Sequence, residues 1–261
     1  RMVTLIYHRQ LGSGWELAAR DLAAELNIQV IGRSRGQKVV LDRDWLLEEF
    51  ELNGRHLRYQ QVEGSFTQPN GGVNRQMLGW ACQQAASLGG DLLELYCGNG
   101  NFTMALAPLF GKVLATEVSK SSVHAAQYNM AANEVGNVAL VRASSEEIAN
   151  ALAGRTVLKR MQDIDLTAYR FSTLFVDPPR AGLSAKIVRR LIECEAQRIV
   201  YISCNPTTLA PNAAQLVEAG YKLVKVKPVD MFPQTPHIEC VAHFELDGPL
   251  IKRDRDGNIR E

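Results

Sequence analysis

D-L-L-E-L-Y-C-G-N-G-N-F-T, residues 91–103, is the stretch of sequence that decides the fold of this chain. Leu92, Leu93 and Leu95 form a short apolar run, which favours a buried strand. The run is followed by the glycine turn 98–100 and then by a helix-prone segment. In α/β proteins this order of strand, glycine turn and helix brings backbone N–H groups against a nucleotide-like ligand. Two glycines also suit a plain strand-to-helix turn, so the surrounding sequence must decide.

Strand and helix patterns alternate regularly around this stretch. They predict strands at 91–96, 112–116, 138–142, 171–176 and 198–202, and helices at 101–109, 119–133, 184–193 and 207–219. Residues 144–168 form a less regular helical stretch. Single helices between strands indicate an α/β fold with a doubly wound, Rossmann-like parallel sheet. No helix pattern separates the strands predicted at 221–230 and 238–246, so we expect the last strand to be antiparallel.

We expect the chain to have three parts. Residues 1–62 carry their own strand and helix patterns and are predicted to form a small N-terminal α/β appendage. Residues 63–246 hold the main sheet, and the charge-rich residues 247–261 are predicted to be a flexible tail. The first residues, R-M-V-T-L-I-Y, are typical of the inside of a strand. We therefore expect an N-terminal portion to precede them.

Composition narrows the class of protein. Of the 261 residues 46% are hydrophobic and 22% charged, which is ordinary for a globular protein. No apolar run is long enough for a membrane span, and no signal or transit peptide is visible. The five cysteines show no C-x-x-C spacing, which predicts a reducing, cytoplasmic location without disulfides or bound metal. Because the net charge is only +1, RNA binding would need a local basic face.

Two acidic residues mark a candidate ligand site at the carboxyl ends of the strands. Glu117 ends a strand nineteen positions after Gly98, where acidic residues usually accept hydrogen bonds from ribose hydroxyls. Thr103 stands where G-x-G-x-x-G would have its last glycine. The loop therefore fits a nucleoside without a pyrophosphate, such as S-adenosylmethionine, better than a dinucleotide. Asp177 follows another strand on a proline-locked loop that faces the same crevice.

Cys204 and Glu239 are the candidate reactive groups. Cys204 follows an apolar strand and precedes a helix that starts at Pro206, so the helix dipole is expected to favour its thiolate. Cys82 and Cys194 lie on predicted helix faces and are interpreted as inert core residues. Glu239 opens the last strand and is a candidate general base, although an acid at such an edge is usually solvated.

Seven motifs together resemble the bacterial tRNA (uracil-5-)-methyltransferases: F-T-Q-P-N (66–70), L-L-E-L-Y-C-G-N-G-N-F (92–102), T-E (116–117), A-A-Q-Y-N-x-A-A-N (125–133), V-D-P-P-R (176–180), I-S-C-N-P (202–206) and H-I-E-C (237–240). The resemblance spans the chain from residue 1 to about 246. It implies Cys204 as the nucleophile and Glu239 as the proton acceptor. It also implies cofactor contacts, at Gln68, Tyr96, Asn101, Glu117 and Asp177.

The resemblance implies a class I S-adenosylmethionine-dependent methyltransferase fold. It also implies methyl transfer to carbon-5 of a flipped-out uridine, in the T-loop of a tRNA, through a covalent cysteine adduct. Gln68 or Arg180 is a weaker candidate for orienting the base. Residues 1–62 would be the remainder of an RNA-facing region, and no protein or membrane partner is expected.

Several alternatives stay open at this point. The related ribosomal-RNA enzymes bind an iron–sulfur cluster through N-terminal cysteines, and no such set occurs in these residues. A non-catalytic RNA-remodelling module would not need both Cys204 and Glu239. A small-molecule methyltransferase would need no nucleophile in the crevice, and the loop spacing disfavours a dinucleotide oxidoreductase.

Overall fold

Two small sheets and one helix form the first 62 residues of the structure, a computed structural model that describes residues 1–86, 88–156, 158–253 and 259–260. The elements are β1 (Met2–Ile6), α1 (Trp15–Leu26), β2 (Gln29–Ser34), β3 (Gln37–Val40), β4 (Trp45–Leu52) and β5 (Arg55–Val62). β1 pairs in parallel with β2, which pairs with β3 in the antiparallel sense. β4 and β5 form a separate antiparallel hairpin.

The β4–β5 hairpin was not predicted from the sequence. Its turn is Asn53-Gly54, and both residues have positive φ angles of 51° and 75°. An Asn-Gly pair between apolar alternating runs is a strong local signal for a two-residue hairpin. That signal was present in the sequence, and the many charged side chains on both strands obscured it.

The main sheet has seven strands in the order β11-β12-β10-β9-β6-β7-β8. Its elements are α2 (Gly71–Ala85), β6 (Asp91–Leu95), α3 (Asn101–Leu106), β7 (Val113–Glu117), α4 (Lys120–Ala132), β8 (Val138–Arg142), α5 (Ser145–Leu152), β9 (Phe171–Val176), α6 (Ala185–Glu193), β10 (Arg198–Ser203), α7 (Pro206–Glu218), β11 (Tyr221–Val229) and β12 (Glu239–Leu246). β12 is antiparallel to both of its neighbours. The remaining ladders are parallel, which confirms the predicted doubly wound sheet with an antiparallel last strand.

The structure differs from the prediction between residues 144 and 168. Among the described residues of this range, only α5 is an α-helix, and a capping box between Ser144 and Glu147 starts it. The chain leaves the helix at Gly154, whose φ is 67°, a conformation that glycine adopts at little cost. Two short 3₁₀ turns follow, at Lys159–Met161 and Leu166–Ala168.

The end of the chain contains one short antiparallel pair, β13 (Lys252–Arg253) with β14 (Ile259–Arg260). Residues 254–258 and 261 lie outside the described residues. The flexible tail at 247–261 therefore stays a prediction, as does the division of the chain into three parts.

Helices cover both faces of the main sheet, and the sheet separates the hydrophobic core into two clusters. One cluster contains side chains of α2 and α3, and the other contains side chains of α5, α6 and α7. Phe175, Ile202 and Val241 belong to the α2–α3 cluster. Side chains alternate along a strand, so this face continues toward the carboxyl end of the sheet at Asp177, Cys204 and Glu239.

Within the described residues, no helix is long and apolar enough to cross a bilayer.

Candidate active site

Strand pairing brings the ends of β9, β10 and β12 together. Ser203 of β10 is paired with Cys240 of β12, so Cys204 and Glu239 are the next positions along these antiparallel strands. On the other side of β10, Tyr201 pairs with Val176, and Asp177 follows immediately. The thiol of Cys204 and the carboxyl groups of Asp177 and Glu239 therefore lie together at the carboxyl end of the parallel strands, as the sequence predicted.

The surroundings of Cys204 raise the pKa of its thiol. The largest cause is burial, and the negative charges of Glu239 and Asp177 add to it. Arg180 acts in the opposite direction with a smaller effect. Desolvation and the two nearby carboxyl groups thus oppose the thiolate in the free protein, and the effect of the α7 dipole stays a prediction.

Of the two carboxyl groups beside Cys204, Glu239 is buried and Asp177 is half-buried. Glu239 is only 4% exposed, and none of the described residues donates a hydrogen bond to its carboxylate. Burial raises the pKa of Glu239. The pKa of Asp177 is raised to about 8, mainly by burial and further by the charge of Glu239. Desolvated acids without partners are well suited to take up a proton or to face a cation.

The loop that carries Cys204 is held by its neighbour Asn205. Its side-chain oxygen accepts hydrogen bonds from the backbone N–H of Thr207 (3.1 Å) and the hydroxyl of the same residue (2.7 Å), which caps α7. Its amide donates to the backbone oxygen of Arg180 at 3.3 Å. Ser203 closes the turn, because its hydroxyl accepts from the N–H of Asn205 at 3.2 Å. Asn205 thus joins the loop of Cys204 to the loop of Asp177.

Arg180 and His237 lie together at the rim of this crevice. An Nη1 of Arg180 lies 3.2 Å from Nδ1 of His237. Because a guanidinium can only donate, this contact requires an unprotonated Nδ1 on His237. Arg180 is exposed and so remains available to a ligand at the rim.

Glu117 closes the glycine loop of the candidate cofactor site. One carboxylate oxygen accepts from the N–H of Gly98 at 3.0 Å, and the other accepts from Val118 and Ser119 at 2.8 and 2.7 Å. Gly100 has a φ of 83°, and a Cβ there would lie 2.7 Å from the end of the Met104 side chain. Only glycine fits this turn without strain.

Two of the other predicted cofactor residues, Tyr96 and Asn101, flank the same loop. The side chain of Asn101 forms a reciprocal amide pair with the buried Asn74, with both hydrogen bonds at 2.9 Å. Asn70, four residues earlier in the chain, caps α2. Tyr96 has a positive φ of 62°, and its hydroxyl donates to Ser145 at 2.7 Å. Gln68 has a buried side-chain oxygen without a hydrogen-bond partner.

Glu94 was missed in the sequence, although it lies inside the stretch that defines the fold. It is 1% exposed, and its Oε2 has no hydrogen-bond partner among the described residues. Burial raises its pKa to about 8, and the charge of Asp177 adds to the shift. A charged residue inside an otherwise apolar strand was the available signal, since buried acids are rare without a partner.

The sheet order, the glycine loop and the acidic crevice define a Rossmann-like, S-adenosylmethionine-dependent methyltransferase fold. Two solved structures share it. A tRNA (uracil-54, C5)-methyltransferase of Pyrococcus abyssi, in complex with S-adenosyl-L-homocysteine, matches with a TM-score of 0.66 and 24% identity over 93% of this chain and 56% of that one. A putative methyltransferase from Streptococcus mutans matches with a TM-score of 0.61 and 13% identity over 94% and 69%.

The chain belongs to the tRNA (uracil-5-)-methyltransferase family, whose model matches residues 1–246. The tRNA/tmRNA (uracil-C(5))-methyltransferase of Dechloromonas aromatica is 67% identical over 92% of this chain. A relative of the same name from Neisseria meningitidis is 50% identical over 97% of the chain and 67% of its own length. This chain spans 65% of the Dechloromonas relative, slightly less than two thirds.

Proposed function

We propose that this protein transfers a methyl group from S-adenosylmethionine to carbon-5 of a uridine in tRNA, with Cys204 as nucleophile and Glu239 as proton acceptor. The observation that carries the proposal is the pairing of Ser203 with Cys240, which makes the thiol and the acid neighbours on adjacent strands. Membership of the uracil-5-methyltransferase family supports the same reaction.

The crevice fits S-adenosylmethionine by charge and by hydrogen bonding. This ligand carries a positively charged sulfonium and an ammonium group. Asp177 and Glu94 are acids with carboxyl oxygens that have no hydrogen-bond partner among the described residues. The unpartnered oxygen of Gln68 can accept a hydrogen bond from it. Glu117 and the N–H groups of the glycine loop suit a ribose at the end of β7. Tyr96 and Asn101 complete the proposed cofactor contacts.

The chemistry requires both reactive side chains. Carbon-5 of uracil is a poor nucleophile, and addition of the Cys204 thiolate to carbon-6 places electron density on carbon-5. Bound S-adenosylmethionine supplies an activated methyl group for that carbon. Glu239 then removes the proton left on carbon-5, and Cys204 leaves from carbon-6 to restore the ring. Because both carbons must be reached, the uridine must leave its stack, with Gln68 or Arg180 orienting it.

The target is proposed to be a uridine of the tRNA T-loop. Curated relatives are named for tRNA and tmRNA, and the Pyrococcus neighbour is named for uracil-54. The names support tRNA over ribosomal RNA. A cytoplasmic location remains part of the proposal, since the substrate and the unpaired cysteines both suit it.

A trapping experiment tests the proposed mechanism. RNA that contains 5-fluorouridine blocks proton removal at carbon-5, so the native protein is expected to form a stable adduct on a denaturing gel. Cys204→Ala should form no adduct and transfer no methyl group. Glu239→Gln should accumulate the adduct even with ordinary uridine, because addition and methyl transfer precede the step that needs the acid.

Cys194→Ala is the matched control, because Cys194 lies at the end of α6, away from the crevice. It should form the adduct at the native rate. An adduct formed by Cys204→Ala would show that another residue is the nucleophile.

A further inference from the structure

Strand β11 presents a row of lysines on one face of the main sheet. It is an edge strand, and its residues 222–228 are all exposed. A bulge between Leu223 and Lys225 shifts its register against β12. As a result Lys222, Lys225 and Lys227 pair with residues 245, 243 and 241, which share one face. Without the bulge, strict alternation would place Lys222 on the face opposite to Lys225 and Lys227.

A pocket of about 200 Å³ lies on this face, between α2 and β11. Trp80, Gln76, Lys227 and Asp230 line it together with apolar side chains. Its volume is below the ~300 Å³ at which sites for drug-sized ligands begin. The pocket therefore suits a group the size of one phosphate or one ring.

Two lysines and an indole N–H lie in or beside this largely apolar pocket. Trp80 is only 6% exposed, and its indole N–H has no acceptor among the described residues. The ammonium of Lys225 lies 6.0 Å from the centre of the Trp80 ring. No described acid forms an ion pair with Lys225 or Lys227. The lining contains one acid, Asp230, and one lysine, Lys227, and Lys225 lies nearby over the Trp80 ring.

The pocket is adjacent to the candidate active site. Val241, in its lining, is two residues along β12 from Glu239 and on the same face, which is ~7 Å at the rise of a strand. Val229, also in the lining, is paired directly with Glu239. Lys227 pairs with Val241 and therefore lies on the same face of the sheet as Glu239.

We propose that the pocket between α2 and β11, with Lys225, Lys227 and Trp80, binds backbone phosphates of the RNA next to the uridine in the crevice. The inference rests on the proposed function, because it takes RNA as the substrate. Phosphate contacts from lysines and N–H donors position a nucleic acid without reading its sequence. They also supply the local basic face that the net charge of +1 does not.

Lysines on an edge strand also discourage pairing with other sheets. For that role the charged side chains can lie at any position of the strand and on either face. It accounts neither for the bulge that brings the lysines to one face nor for an unsatisfied indole beside a pocket. These two features favour a ligand with negatively charged oxygens.

The test measures tRNA affinity of the full chain at several salt concentrations. Each lost phosphate contact lowers the slope of log affinity against log salt by about 0.7 to 0.9. The double variant Lys225→Ser/Lys227→Ser should therefore lower the slope by roughly 1.5 and weaken binding roughly tenfold near 0.1 M salt. Trp80→Phe keeps an aromatic ring but removes the indole N–H, and it should weaken RNA binding without changing affinity for S-adenosylhomocysteine.

Lys159→Ser is the matched control. Lys159 is exposed in the 3₁₀ turn beside β8, at the opposite edge of the sheet. The slope of log affinity against log salt for Lys159→Ser should equal that of the native chain. Thermal unfolding should show that all variants fold. A native slope in the double variant, or an equal loss in Lys159→Ser, overturns this inference and leaves the proposed reaction intact. Absence of RNA binding by the native chain would instead contradict the proposed function.

Discussion

At the scale of single residues, the five cysteines differ by where the fold places them. Burial raises the pKa of both Cys82 and Cys194 to about 11, so these thiols stay protonated, in line with their interpretation as core residues. Cys97 is buried beside the glycine loop. Cys204 is half-exposed at the crevice, where a substrate can reach it. Reactivity therefore depends on access to the thiol and on the charges that a ligand brings.

The charge of Glu239 is expected to control the pH at which Cys204 reacts. Glu239 raises the pKa of Cys204, so Glu239→Gln should lower that pKa and increase the thiolate fraction at a given pH. The rate of adduct formation with 5-fluorouridine RNA, measured from pH 6 to 10, should rise with pH in both proteins. The midpoint in Glu239→Gln should be the lower one.

Glu218→Gln serves as the control for this profile, because Glu218 is exposed at the end of α7 and remote from the thiol. Its profile should coincide with that of the native protein. A midpoint in Glu239→Gln at or above the native one would show that the acid does not influence the thiol.

At the scale of secondary structure, side-chain hydrogen bonds from α4 connect the β4–β5 hairpin to the glycine loop. Asn129 is completely buried, and its side chain accepts from the N–H of Gln60 at 2.6 Å and donates to the oxygen of Asn99 at 2.8 Å. One turn later, Asn133 accepts from the N–H of Arg58 at 2.9 Å and donates to its oxygen at 2.7 Å. These bonds explain the spacing of the two asparagines in A-A-Q-Y-N-x-A-A-N.

Asn129→Ala should destabilise the protein and loosen the cofactor loop together. The variant leaves a buried N–H and a buried carbonyl without partners, which costs about 2 to 4 kcal/mol of unfolding free energy. Urea denaturation measures that loss, and calorimetric titration with S-adenosylhomocysteine should show weaker binding. Gln127→Ala, on the exposed side of the same helix, should change stability by less than about 0.5 kcal/mol. Full affinity in Asn129→Ala would show that the loop does not need this anchor.

At the scale of the whole molecule, the crevice concentrates acids that the free protein keeps protonated. Burial raises the pKa of both Glu94 and Asp177 to about 8, against ordinary values near 4 in an unfolded chain. The folded state thus holds protons that the unfolded state releases. Their contribution to stability is complete at low pH and is lost as the pH rises through about 8.

The free energy of unfolding should therefore fall between pH 6.5 and 8.5. A decrease of roughly 1 to 2 kcal/mol per pH unit follows from the linkage of these groups. Burial lowers the pKa of His243, so this residue acts in the opposite direction, and its effect fades as the pH rises above 6.5. Urea denaturation at three pH values measures the trend, and Glu94→Gln should flatten it. Stability that is constant or rises over this range would contradict the protonated acids.

The elements that could be predicted are those with a strong local pattern. The apolar runs of the main sheet and the helices between them have signals within a few residues. The β4–β5 hairpin was missed because its strands carry charges on both faces. The helix expected at 144–168 was overextended because apolar residues continue beyond Gly154, where the backbone turns. Glu94 was missed because a buried acid is indistinguishable from a solvated one until its neighbours are known.

Local sequence patterns determined the doubly wound class of fold, the glycine loop and the candidates Glu117, Asp177, Cys204 and Glu239. The family resemblance supplied Gln68, Tyr96 and Asn101. Each of these depends on periodicity or on short motifs, which are complete within a segment. Tertiary structure decided the electrostatics of Cys204 and the burial of Glu94. It also decided the hydrogen bonds between α4 and β5 and the placement of the β11 lysines on one face of the sheet. Those properties depend on contacts between elements that are distant in the chain. The pKa of a side chain, and which side chains share a face of the sheet, are fixed only when these elements pack together.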